Sequence, residues 1–135
     1  MKQFIAHITL VVKDYDEAIE FYTRKLRFRV VEDTVLSPTK RWVLVAPPGS
    51  EGCCLLLAKA DNEEQRLSIG HQAGGRVFLF LYTDNFQRDY QDMQERGVTF
   101  VRPPVAEAYG TVAVFADLYG NCWDLLEPAK SETYK

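Results

Sequence analysis

Apolar residues recur along this chain with two periods. In "AHITLVV" and "VFLFLY" they crowd short stretches bounded by polar residues, as strands do. Immediately afterwards the period lengthens. Tyr15, Ile19 and Tyr22 follow the first stretch, and Phe86, Tyr90 and Met93 follow the second. Positions i, i+4 and i+7 lie on one helix face, so each strand is predicted to turn, at Asp14 or Asp84, into an amphipathic helix. Each helix leads to a further strand, "FRVVED" or "VTFVRP". Two more strands follow in each case: "RWVLVAP" and "CCLLLAKA" in the first half, "TVAVFAD" and "NCWDLLEP" in the second. The joining segments "PGSEG" and "LYG" have turn chemistry.

The two halves superpose at a constant offset of 71 through the first strand and helix, with Ile8 on Leu79 and Tyr22 on Met93. The pattern is βαβββ twice, in modules spanning residues 4–58 and 76–128. A polar linker, 59–75, carries neither period and is predicted to cross the surface, and a polar tail occupies 129–135. A repeat this short implies that neither half can bury its own sheet face alone.

Composition adds exclusions. The chain has 135 residues, a single domain's worth, and a net charge of −3, which gives no reason to expect nucleic acid or an anionic membrane as a partner. The apolar run near the N-terminus is too short to span a bilayer and is followed at once by acidic residues, and neither feature of a secretory signal accompanies it. Three cysteines form neither a disulfide framework nor a CxxC zinc motif, so a reducing cytoplasm is the expected compartment. Cys53 and Cys54 have no electropositive sequence neighbour to activate a thiolate. Phosphate-loop, dinucleotide and GxSxG motifs are absent.

Strand alternation sorts the side chains into two faces. One set (Ile8, Leu10, Val12, Leu55, Leu57, Leu79, Leu81, Trp123 and Leu125) is uniformly apolar, as a helix-covered face should be. The other holds the polar exceptions His7, Thr9, Tyr82 and Asp124, together with Val11, Leu56, Phe78, Phe80, Cys122 and Leu126. An apolar surface with a few orienting polar groups suits a ligand-lined concavity.

The tandem βαβββ pattern, "DYDEAIEFYTRKLRF" in the first helix and "FADLYGNCWDLLEP" at the end, resembles the vicinal oxygen chelate superfamily over residues 4 to 128. That group includes glyoxalase I, extradiol dioxygenases, fosfomycin-inactivating enzymes and bleomycin-binding proteins. The resemblance implies an α+β fold whose two modules form a half-closed mixed sheet around a cavity, paired within the chain or across a homodimer axis. One departure is local: the usual Leu-Gly-Phe after the first helix is here Leu26-Arg27-Phe28, and an altered turn is expected.

Metal-using members place a ligand at four equivalent positions, which here are His7, Leu56, Phe78 and Asp124. Leu56 and Phe78 have no donor atom, whereas catalytic zinc needs three protein ligands and non-haem iron two histidines and a carboxylate. Cys122 shares a face with Asp124 but lies about 7 Å along the strand. A symmetric partner would repeat the same four positions. His71 sits in the linker, where it could fold over the cavity. No cofactor is therefore expected, and a divalent zinc, nickel, iron or manganese ion belongs to the alternative.

Two functions remain open. One is a metal-free binding protein that encloses a partly aromatic or apolar ligand with His7, Thr9, Leu56, Phe78, Phe80, Tyr82, Tyr109, Cys122 and Asp124. The other is a glyoxalase-like lyase or isomerase, or a dioxygenase-related enzyme, with His7 and Asp124 as proton-transfer groups and a weakly bound metal. His7 and Asp124 also have a bland reading, as a pair that satisfies a buried carboxylate. Trp42 and Tyr109 flank strand ends, where packing competes with ligand contact. Arg41 and Arg76 are either anion-binding groups or solvated strand-end charges.

Overall fold

The computed structural model describes residues 1–130, so positions 131–135 of the expected tail lie outside the described residues. The chain forms two compact units, Met1–Gln72 and a second beginning at Ala73. In unit 1, β1 (His7–Val12) is followed by α1 (Tyr15–Glu20), which runs on as a π-helical turn, Phe21–Lys25. Then come β2 (Arg29–Ser37), β3 (Lys40–Ala46), β4 (Cys54–Lys59) and α2 (Glu63–Ser68). Unit 2 holds β5 (Leu79–Tyr82), α3 (Phe86–Glu95), β6 (Thr99–Glu107), β7 (Gly110–Ala116) and β8 (Cys122–Pro128).

Each unit contains one four-stranded mixed sheet, ordered β1-β4-β3-β2 or β5-β8-β7-β6. The first and last strands of each module run parallel, and the other pairings are antiparallel. This is the α+β architecture expected, with neither sheet closed into a barrel.

The helices start where the chain supplies acceptors for their free N–H groups. Asp14 accepts from Glu17 N–H, and Asn85, one residue beyond the turn expected at Asp84, accepts from Arg88 N–H. The helix stripes then meet the covered sheet faces. Leu10, Val12, Tyr22 and Leu57 are fully buried in unit 1, and Phe115 and Leu125 in unit 2. Burying one such aliphatic or aromatic side chain stabilises the fold by about 1.5–3 kcal/mol.

Four local features differ from the sequence reading or refine it. The linker is not structureless: Asn62 caps α2 by accepting from Gln65 N–H, and Gln72 Oε1 accepts from Val11 N–H at 3.0 Å, covering part of the free edge of β1. Strands β2 and β6 extend well past "FRVVED" and "VTFVRP". Pro103 and Pro104 do not end β6, which is an edge strand with a register shift between Arg102 and Val105, where proline is tolerated.

The turn after α1 keeps the geometry of a glycine turn, with Arg27 itself at φ 60°. Finally, the first module holds one more residue at its helix exit. Phe28 N–H reaches back to Tyr22 O, whereas Val98 N–H reaches Met93 O, both at 2.9 Å. The π-helical turn takes up the difference.

Candidate functional site

Directly paired strand residues project from the same face, so the registers define rows across each sheet. In unit 2 one row on the open face reads Phe80, Asp124, Val114, Arg102. The next reads Tyr82, Leu126, Val112, Val105. The equivalent of the first row in unit 1 is Thr9, Leu56, Leu44, Glu32. Asp124 in one module thus stands where Leu56 stands in the other.

A cleft of about 240 Å³ opens on this face of unit 2. Arg102, Glu107, Tyr109, Val112, Val114 and Asp124 line it, with Pro103, Val105 and Ala113. Phe80, beside Asp124 in its row, is 62% exposed, and Tyr82 and Tyr109 are also largely exposed. Asp124 is half-buried and accepts no hydrogen bond from the described residues of its unit. Desolvation pushes its carboxyl above the ordinary aspartate value, and the charge of Arg102 pulls it partly back. A carboxylate set among Val114, Leu126 and Phe80 without a protein donor relies on solvent, or on a ligand, for its partners.

The remaining expected residues are placed as follows. His7 and Thr9 are exposed, and Leu56 and Cys122 are half-buried. The His7 ring meets Trp42 edge-on, with centroids 5.9 Å apart, although β4 lies between their strands. Contact across an intervening strand is what a concave face produces. Phe78, just ahead of β5, packs edge-on against Trp123 at 6.2 Å, which ties its ring to the buried side of β8. Arg41 is not a spare cation. It bridges Asp16 at 2.8 Å and Asp33 at 2.7 Å, and lies over the Tyr15 ring, clamping α1 to the β2–β3 hairpin. Arg76 and His71 are exposed. Burial raises the Cys53 thiol, and the nearby Cys54 adds to the shift.

The sequence reading missed Arg102 and Glu107. Only the pairing with β7 reveals that the register shifts in β6 return both to the cleft.

The metal positions that the resemblance implies lack a full set of donors. At the four equivalent positions, unit 1 offers His7 with Leu56 and unit 2 offers Asp124 with Phe78, one donor in each. Among the described residues, no three His, Cys, Asp or Glu side chains group as metal ligands would.

Comparison with known proteins adds four findings. Residues 4–125 match the family described as the Glyoxalase/Bleomycin resistance protein/Dioxygenase superfamily. A protein of Shewanella frigidimarina (strain NCIMB 400) is 64% identical over 128 residues, covering 94% of this chain and 95% of that one. Among solved structures, UcmS2 is similar at 34% identity and a TM-score of 0.81, covering 93% of this chain and 98% of that one. TnmS3, described as an antibiotic binding protein from Streptomyces sp. CB03234, is similar at 27% identity and a TM-score of 0.75, covering 95% and 98%.

Proposed function

Because the chain belongs to the glyoxalase/bleomycin resistance protein/dioxygenase superfamily, we propose that it is a metal-free small-molecule-binding protein that takes a partly aromatic or apolar ligand against the open faces of its sheets. The observation that carries this reading is Asp124, half-buried beside a cleft, without a hydrogen-bond donor in its unit and with exposed Phe80 in the same row. Apolar and aromatic surface supplies affinity, while a few polar groups, Thr9, Tyr82, His7 and Asp124, supply orientation. The description of TnmS3 as an antibiotic binding protein supports a small-molecule ligand.

A second reading, a glyoxalase-like lyase or isomerase, draws on the raised pKa of Asp124, which suits a proton-transfer group, with His7 as its counterpart. It is the weaker of the two. Without a metal, an enediolate oxyanion lacks a stabiliser that ordinarily supplies several kcal/mol. His7→Ala and Asp124→Asn separate the readings. Loss of turnover with ligand affinity intact supports the enzyme; weakened binding with no substrate turned over supports the binding protein.

The primary test is a thermal-shift screen of aromatic compounds of varied charge. A ligand at a hundred times its Kd adds about 2.7 kcal/mol of stability. Failure of every compound to raise Tm would sink the binding reading. The protein is further proposed to be a cytoplasmic homodimer. Support for the dimer is that β2 and β6 expose Val30, Val35, Leu36, Val101 and Val105. Sedimentation as a 15.5 kDa species at micromolar concentration would refute it.

A further inference from the structure

The charges around the unit 2 cleft are unequal, and their positions specify more than an apolar ligand. Two carboxylates, Asp124 and Glu107, line it against a single guanidinium, Arg102. Asp124 is the inner of the two, half-buried between Val114 and Phe80 in its row, whereas Glu107 is exposed on β6. Arg102 does not neutralise Asp124 by contact. Val114 separates them on the row, so their backbones stand about 10 Å apart at ordinary strand spacing. An anionic ligand entering here would face two like charges and leave Asp124 unpaired. A neutral one could donate a hydrogen bond to it but would bring no countercharge.

We propose that the cleft selects an organic cation: a ligand whose protonated nitrogen sits at Asp124, whose flat apolar body lies on Val105, Val112 and Val114, and whose far end offers Arg102 a carbonyl, hydroxyl or carboxylate oxygen. This rests on the binding-protein reading and names the chemistry of that site. The exposed Phe80, next to Asp124 in its row, adds a face that attracts a cation. The volume, about 240 Å³, lies below the usual range of roughly 300–1,000 Å³ for ligand pockets, which suits a body of two fused rings. A charge-assisted N–H···O bond in a partly desolvated place is stronger than its exposed equivalent. Asp124 is therefore the residue that discriminates between ligands, and Arg102 sets their length.

Matched ligand triads test this directly. Indole and naphthalene scaffolds, each bearing a short side arm ending in an ammonium, a hydroxyl or a carboxylate, are titrated calorimetrically into the full chain at pH 7.5. The ammonium member of each triad is expected to bind at least about tenfold tighter than its hydroxyl counterpart, the carboxylate weakest, as an ion pair in a partly desolvated cleft requires. Asp124→Asn, a near-isosteric change, is expected to abolish the preference. Arg102→Gln, at an exposed position, removes a like charge and is expected to tighten the ammonium members by a few-fold. Equal or reversed preference in the native protein, or a preference that survives Asp124→Asn, overturns the inference while leaving a binding protein in place. No binding by any member at millimolar concentration, from a protein that also fails the thermal-shift screen, overturns both.

Discussion

Arg27 adopts, at φ 60°, the left-handed conformation that Gly97 adopts at 87° in the corresponding turn of the second module. The closing hydrogen bonds of the two turns are equally short. The departure from Leu-Gly-Phe has kept the left-handed residue of the turn and placed a side chain where glycine is favoured. For L-residues this conformation costs roughly 1–2 kcal/mol, part of which glycine's greater unfolded-state freedom offsets. Arg27→Gly is therefore expected to stabilise the protein by about 0.5–1 kcal/mol, seen as a higher urea midpoint at unchanged slope. A destabilised variant would show that what Arg27 contributes to the fold outweighs the relief of its backbone.

Gly110 is constrained for a different reason. It lies at φ 148° opposite Pro128, and a methyl group there would overlap Glu127 O and come within 2.9 Å of Pro128 Cα. Gly110→Ala is expected to cost about 2–4 kcal/mol, because the neighbour is backbone and cannot swing away. Gly49, at φ 74° with open space around it, provides the control. Gly49→Ala should cost only about 1 kcal/mol. Equal losses at the two sites would refute the close-approach account.

Asp124 links the site to stability. Its carboxyl titrates above the ordinary aspartate value in the folded chain because burial disfavours the charge. The fold therefore binds this proton more tightly than the unfolded chain does. The corresponding stability is fully present below the unfolded pKa and is lost as pH rises through the folded one. Asp124→Asn is expected to raise Tm at pH 7 and to leave it unchanged near pH 3. Adding Arg102→Lys should preserve the pattern, whereas Arg102→Gln in the native background should steepen the loss. A Tm gain that is the same at both pH values would show that the charge is not its source.

Metal content is the cheapest discriminating measurement. After brief washing with a chelator, elemental analysis is expected to find no stoichiometric zinc, nickel, iron or manganese, since Leu56 and Phe78 supply no donor. One tightly held ion per chain would return glyoxalase or dioxygenase chemistry to the front. The Leu56→Glu, Phe78→His double variant should gain affinity for a divalent ion if these positions are equivalent to the family's ligand positions.

The parts of this architecture visible in the sequence were those written in short-range periodicity. Alternation in "HITLVV" and "CWDLL" separated the covered face from the open one, and His7, Thr9, Tyr82 and Asp124 all lie on the open side of their strands. What could not be read depends on partners distant in sequence. The role of Arg41 comes from Asp16 and Asp33, on two other elements, and nothing in "KRWVLV" announces them. His7 against Trp42 requires the curl of a whole sheet. Arg102 and Glu107 were hidden by register shifts in β6, because a bulge resets alternation without leaving a mark in composition. Pro103 and Pro104 completed the disguise by imitating a strand end.

The single extra residue at the exit of the first helix bears on how such a duplicated chain can change. The offset between copies falls from 71, at Tyr22 and Met93, to 70, at Phe28 and Val98. Leu44 and Val114, on the following strands, remain in the same phase. A length change inside a strand would invert every side chain after it. Taken up in a widened helical turn, it changes nothing downstream. The helix exit thus acts as an expansion joint: a place where one copy can gain or lose a residue while the alternation that sorts ligand-facing from core-facing positions runs on undisturbed. That tolerance lets two copies of one ancestral unit diverge in length and chemistry, one keeping Leu56 and the other Asp124, without either losing its sheet.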